Sequence, residues 1–304
     1  MFARSVAVLA LALPGCAPVD PVADVPRPAG GVTFAAWQDA CAGAGEGREA
    51  WTAPAPPFRV HANTWYVGTC GIAALLVVTD EGNVLVDSGM PEAAPLVLAN
   101  LAALGVRADT VRAMLSSHEH LDHVGATAAL QRAAAARVVA LDKAVWQMES
   151  GKPLPEDPQA ADIPPFEGVK VTDTLRDGDT FTLGGTVFTA HSTPTHTPGS
   201  TSWTWQSCQG GACRTIAYAD SLSTPAAAGY RFADHPAYVA QVRTGFARVA
   251  ALPCDILVTP HPGASQMQAR FAAGPAASPE ACRTYAEGAR AQFEKRLAEE
   301  AAGG

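Results

Sequence analysis

The chain has 304 residues, 48 % hydrophobic and only 16 % charged, with 21 Lys and Arg against 29 Asp and Glu, a formal net charge of −8. This composition excludes a disordered chain and allows a sizeable buried core. The acidic balance and the lack of any like-charge block disfavour nucleic acid, and no apolar run reaches the roughly 20 residues of a membrane-spanning helix, so a folded domain acting on a small molecule remains.

The N-terminus reads as an export signal over residues 1–16. Arg4 gives a thin positive region, residues 6–13 are apolar but too short to span a bilayer, and Leu13-Pro14-Gly15-Cys16 resembles a bacterial lipobox. Two processing routes follow from it: lipidation of Cys16, or plain secretion with cleavage after Ala17. Removing residues 1–16 takes away Arg4 and no acid, so the net charge becomes −9. Residues 17–57, rich in Pro, Gly and Ala, read as an N-terminal extension, an extended arm with one short helix. A single domain is expected over 58–304. It has two halves, about 58–152 and 166–304, divided by a proline-rich loop (Pro153, Pro155, Pro158, Pro164, Pro165).

From Phe58 the pattern turns to strands, at 60–67, 72–79 and 84–86, with a turn at Asp80-Glu81-Gly82-Asn83. Pro91 suits a first helical turn, and that helix stops at Gly105. A buried strand at 111–115, an Ala-rich helix at 125–136 and a strand at 138–140 complete the first half. In the second, short strands surround Asp177-Gly178-Asp179 and Gly184-Gly185. The runs flanking Cys208-Gln-Gly-Gly-Ala-Cys213 form a hairpin whose turn brings those two sulfurs together. A helix at 236–250, a strand at 255–259 and a last helix from Ser278-Pro279-Glu280 follow. Two mixed β-sheets packed face to face with helices outside are expected.

The chain has seven cysteines, and setting Cys16 aside leaves six, an even number suited to an oxidising compartment.

The chemistry concentrates in Ser117-His118-Glu119-His120-Leu121-Asp122-His123-Val124-Gly125. His118 and His120 share one side of an extended segment, whereas Asp122 and His123 follow a change of direction and can face a second centre. His196 and His261 each precede a Pro-Gly corner just past a strand. His61, His191 and His235 lack such a setting and read as structural. Five His and one Asp make two sets of three, and a catalytic zinc takes three protein ligands while keeping a position for water. Asp87, ending a buried strand, reads either as a partner behind the ligands or as a turn cap. No Ser-x-x-Lys of the serine enzymes occurs.

HxHxDH followed by two separate His is similar to the signature of the metallo-β-lactamase superfamily, and from about Trp51 onward the chain resembles subclass B3. His196-Thr197-Pro198-Gly199-Ser200-Thr201, Ala219-Asp220-Ser221-Leu222-Ser223, Leu252-Pro253-Cys254-Asp255 and Thr259-Pro260-His261-Pro262-Gly263-Ala264-Ser265 carry that resemblance. It implies an α/β fold, the four-layer αβ/βα sandwich, with two Zn2+ per chain. His118, His120 and His196 would hold the first zinc, and Asp122, His123 and His261 the second. Ser221 and Ser223 would contact a substrate carboxylate, directly or through water, while Trp51 and Tyr230 line the cleft. Cys254–Cys282 resembles a disulfide of the subclass, leaving Cys41–Cys70.

The implied activity is hydrolysis of the β-lactam amide bond of penicillins, cephalosporins and carbapenems by a zinc-bound hydroxide that Asp122 orients. It would confer antibiotic resistance in the periplasm of a Gram-negative bacterium. A glyoxalase-II-like or lactonase-like hydrolase of the same fold is the alternative, with Asp220 as a bridging ligand. Fewer than 50 residues follow His261, too few for the helical substrate domain of the glyoxalase group. Nothing in the sequence indicates a protein partner.

Overall fold

The structure, a computed structural model, describes residues 32–45, 47–272 and 278–303. The export segment and Cys16 lie outside the described residues. Among the described residues, twelve strands form two sheets. The first has the order β1 (Phe58–His61), β2 (Thr64–Tyr66), β3 (Leu75–Thr79), β4 (Gly82–Val86), β5 (Val111–Leu115), β6 (Arg137–Leu141) and β7 (Asp173–Leu175). It is antiparallel up to β4 and parallel from β4 to β7. The second has the order β12 (Ile256–Val258), β11 (Ala212–Tyr218), β10 (Thr201–Gln209), β9 (Thr186–Ser192) and β8 (Thr180–Leu183). Its β11–β12 pair is parallel.

Period-2 alternation decides which layer each strand residue enters. Leu75, Val77, Val84 and Val86 point into the core between the sheets, where they meet Trp203, Ile216, Tyr218 and Val258. Their neighbours Leu76, Val78 and Leu85 point the other way, toward helices α3 (Ala94–Ala103) and α5 (Thr127–Ala134). On the second sheet Ala217 and Leu257 face outward onto α7 (Pro236–Ala250) and, after the short α8 (Met267–Ala272) in chain order, α9 (Ala281–Ala301). Three apolar interfaces separate four layers, the αβ/βα sandwich expected from the sequence.

Several elements depart from expectation. The run at 60–67 is a hairpin, reversed at Ala62 with φ 39°. The arm before Phe58 holds two helices, α1 (Phe34–Cys41) and α2 (Arg48–Thr52). Trp37 of α1 is fully buried against Phe58 and Tyr66, so this part of the extension belongs to the core. The Ala-rich helix is α5, two residues shorter at each end than the expected 125–136; a separate short helix, α4 (Leu121–Val124), precedes it, and a further helix, α6 (Val145–Ser150), follows β6. β7 lies beyond the proline-rich loop yet pairs with β6. The chain therefore changes sheet between Leu175 and Thr180, and the division between halves falls there instead of at 153–165.

Disulfides join Cys41 to Cys70, Cys208 to Cys213 and Cys254 to Cys282. The first ties α1 to the turn after β2, the second closes the β10–β11 hairpin, and the third fastens α9 beside β12. Among the described residues no helix is long and apolar enough to cross a membrane.

Candidate metal centre

Loops leaving the C-terminal ends of β4, β5, β9, β11 and β12 converge on one edge of the sandwich. The loop after β5 carries His118, His120, Asp122 and His123, and the strand ends of the second sheet carry His196 and His261. Candidate ligand atoms of His118, His120 and His196 lie within 4.8 Å of one another, as do those of His118, Asp122 and His123. Asp122 Oδ2 is 3.1 Å from His123 Nε2 and 3.4 Å from His261 Nε2, and the two Nε2 atoms are 3.2 Å apart. The sets His118–His120–His196 and Asp122–His123–His261 thus each take two donors from the β5 loop and one from the second sheet.

The other nitrogen of each inner imidazole faces a carboxylate or a carbonyl. His118 Nδ1 is 2.8 Å from Asp220 Oδ1, and His120 Nε2 is 2.7 Å from Asp157 Oδ2. His196 Nδ1 donates to the Ser223 carbonyl at 2.9 Å, whereas His123 Nδ1, 3.3 Å from Asp87 Oδ2, is at ion-pair distance without hydrogen-bond geometry. Such partners fix ring orientation and leave the opposite nitrogen for a metal. His118 Nε2 is buried without any hydrogen-bond partner, which a metal ion would satisfy. Asp220 therefore sits on the outer nitrogen of His118, and the bridging role considered for it does not fit this geometry.

Burial, reinforced by the neighbouring imidazoles, holds His118 well below its ordinary value and lowers His196 to about 3. Neutral imidazoles with free lone pairs are what zinc requires. Burial works against charge on His123 as well, but Asp122 and Asp87 outweigh it and raise the ring to about 10. The His123 and His261 contacts keep Asp122 ionised despite its burial. Without metal, the two carboxylates thus favour a proton on His123, and a metal would take the proton's place.

Asp87 does more than cap a turn. Its backbone is left-handed, with φ 60°, and its carboxylate accepts from the Ser117 N–H and Oγ, each at 2.7 Å. Tyr218 Oη from the opposite sheet lies 2.8 Å away. One side chain thus joins the first sheet, the second sheet and the ligand loop. Glu119 is fully buried on the side of the loop away from His118 and His120, and burial pushes it up to about 7.

A cleft of about 350 Å³ opens over these groups, lined among others by Trp51, Met90, Leu121, Ile163, His196 and Ser223. Trp51 is placed by a close backbone approach. Gly71 donates its N–H to the Ala50 carbonyl at 2.8 Å, and a Cβ at Gly71 would come within 2.8 Å of Ala50. The Trp51 ring then lies 5.5 Å from His261. Tyr230, expected to line the cleft, and Ser221, expected to contact the substrate carboxylate, are not on the wall of this cleft. Tyr230 stacks on His235 at 4.4 Å. Ser221 is buried at 3 % exposure, whereas Ser223 lines the cleft. Asp157 is a site residue that sequence reasoning misses; it lies in the proline-rich loop, where no motif marks it.

The model of the metallo-β-lactamase superfamily matches residues 67–210. The crystal structure of a metallo-β-lactamase, MIM-1 of Novosphingobium pentaromativorans, is 52 % identical over 87 % of this chain and 97 % of its own, with TM-score 0.84. The MIM-2 metallo-β-lactamase is 46 % identical over 88 % and 98 %, with TM-score 0.82. MEM-A1, a subclass B3 metallo-β-lactamase isolated from a soil metagenome library, is 39 % identical over 84 % and 100 %, with TM-score 0.78.

Proposed function

The chain belongs to the metallo-β-lactamase superfamily and stands with its subclass B3 enzymes, and from that premise we propose that its two groups of three ligands hold two zinc ions. It is a zinc-dependent hydrolase of the β-lactam amide bond. His118, His120 and His196 are the proposed first set; Asp122, His123 and His261 are the second. The observation that carries this reading is the gathering of these six donors at one cleft, with His118 Nε2 buried and unpartnered. Zinc held there would supply a water of pKa about 7 and a Lewis acid for the lactam carbonyl.

The protein's own groups do the rest. Asp122, ionised and close to both His123 and His261, would orient the attacking water by accepting its hydrogen bond. Asp87, Asp157 and Asp220 hold three imidazoles in place from behind. Ser223, exposed at the cleft wall, binds the carboxylate beside the lactam ring, with Ser221 assisting through an intervening water. Trp51 covers the apolar side of the substrate. This set of groups suits penicillins, cephalosporins and carbapenems, all of which carry that carboxylate, and hydrolysing them would confer antibiotic resistance. We place the enzyme in the periplasm of a Gram-negative bacterium, with Cys16 as the candidate site of a lipid anchor.

The test is purified protein assayed with a carbapenem, a penicillin and a thioester, with and without chelator, alongside elemental analysis. Lactam turnover that chelator abolishes, with close to two zinc equivalents, is expected. Efficient thioester cleavage with negligible lactam turnover overturns the reading. A zinc content fixed at one that His261→Ala leaves unchanged overturns the two-ion count.

A further inference from the structure

The first triad is assembled from two loops far apart in sequence, one carrying His118 and His120 and the other carrying His196. The backbone ties these loops together directly where the Thr201 N–H donates to the Ser117 carbonyl at 2.6 Å. That bond lies beyond the Pro198-Gly199 corner and leaves the corner itself to be held by something else. The chain alternates sides between His118 and His120, so the side chain between them points away from the ligand face. That side chain is Glu119. Its Oε2 accepts from Thr197 Oγ1 at 2.9 Å and its Oε1 accepts from the Gly199 N–H at 3.0 Å. Both donors belong to the corner that follows His196.

The fit is close. A Cβ at Gly199 would stand 2.3 Å from Glu119 Oε2 and 2.8 Å from Ala144. The absence of a side chain at Gly199 is what lets the carboxylate reach its N–H. Glu119 is fully buried, so neither of its oxygens is satisfied by solvent. Its backbone carbonyl accepts from Gln147 Nε2 at 2.9 Å, and Gln147 Oε1 accepts from the Leu154 N–H at 2.8 Å, in the loop that brings Asp157 to His120. Main chain and side chain of this one residue therefore reach the surroundings of all three imidazoles.

We propose that Glu119 is a positioning residue whose carboxylate fastens the His196 corner to the His118–His120 segment and so sets the spacing of the first triad before metal arrives. This rests on the zinc reading above. A ligand set already held at its spacing loses less freedom when the ion binds, so the fastening appears as zinc affinity.

The experiment compares metal-free wild type with Glu119→Ala, Glu119→Gln and Thr197→Val. Zinc dissociation constants are measured by competition with a chromophoric chelator, and the thermal midpoint of each metal-free protein is recorded. Glu119→Ala is expected to weaken zinc binding by about 10–100-fold, the range for outer groups that orient ligands. Glu119→Gln should stay near wild type, because its carbonyl oxygen accepts from the Gly199 N–H while its amide donates to Thr197 Oγ1. Thr197→Val, losing one of the two bonds, should fall between. With excess zinc the Glu119→Ala variant should regain kcat with KM unchanged.

A lowered midpoint with wild-type zinc affinity would mean a merely structural role and overturns the proposal, as does a Gln variant as weak as the Ala one. Where Glu119→Ala fails to fold, Thr197→Val with wild-type zinc affinity overturns it. A protein that shows this order of zinc affinities but turns over no β-lactam refutes the hydrolase reading while upholding the fastening role.

Discussion

Ser223 lines the cleft and also backs His196, whose Nδ1 lies 2.9 Å from the Ser223 carbonyl and 3.2 Å from its hydroxyl. Ser223→Ala retains the carbonyl, the shorter of the two contacts, so the metal site should be kept while the substrate carboxylate gives up one hydrogen bond. The expected outcome is a raised KM with kcat nearly unchanged, since that bond is made in ground and transition states alike. Steady-state kinetics on a penicillin check it. Asp157 acts from behind His120, so Asp157→Ala should lower zinc affinity by about 10–100-fold, read by chelator competition. The two residues differ in how visible they are along the chain. Ser223 stands in Asp220-Ser221-Leu222-Ser223 and is carried by the family pattern, as are the six proposed ligands. Asp157 lies among prolines with nothing local to mark it, because its partner His120 is 37 residues away in the chain. Tyr230 shows the opposite failure: its place follows from stacking on His235, which no pattern along the sequence encodes.

Elements place the ligands by approaching one another closely. α7 crosses the segment leading into His196 at Gly245, where a Cβ would lie 2.0 Å from Thr195 Oγ1. Exposed helix interiors favour Ala over Gly by about 1 kcal/mol. Here the order should reverse, with Gly245→Ala costing about 1–3 kcal/mol through overpacking. Chemical denaturation of the zinc-loaded protein checks the sign, and an increase in stability would refute the close approach. The strong elements are legible because buried apolar residues dominate them: β3, β4, β5 and β12 are mostly Val, Leu, Ile, Met and Ala, and α7 starts at a proline suited to a first turn. The weak ones are not. β7 is three residues long, and none of the three is fully buried. α1 has two buried residues, and its burial comes from Trp37 packing among aromatics, Phe58 and Tyr66 among them, that lie beyond it in sequence. Short elements are fixed by tertiary contacts, which sequence periodicity does not report.

For the whole molecule, both sheets contribute to each of the two proposed ligand triads, so zinc should bind the folded state and hardly the unfolded one. Zinc at 1,000 times its dissociation constant should stabilise the protein by about 4 kcal/mol per site. Chelation should therefore lower the thermal midpoint together with activity, and added zinc should restore both; a midpoint indifferent to zinc would contradict a centre shared between sheets. The turn at Arg176–Asp179, where the chain passes from one sheet to the other, extends this relation. Gly178 is exposed there, with φ +83° and open space around it. A chain severed at that turn would yield two fragments, each keeping its own sheet whole, one bearing four of the six donors and the other two. By thermodynamic reciprocity, whatever affinity zinc gains from the fragments being joined, the fragments gain for each other from zinc. The metal would then govern a heterodimerisation, and the colour of bound cobalt would report the docking of two polypeptides.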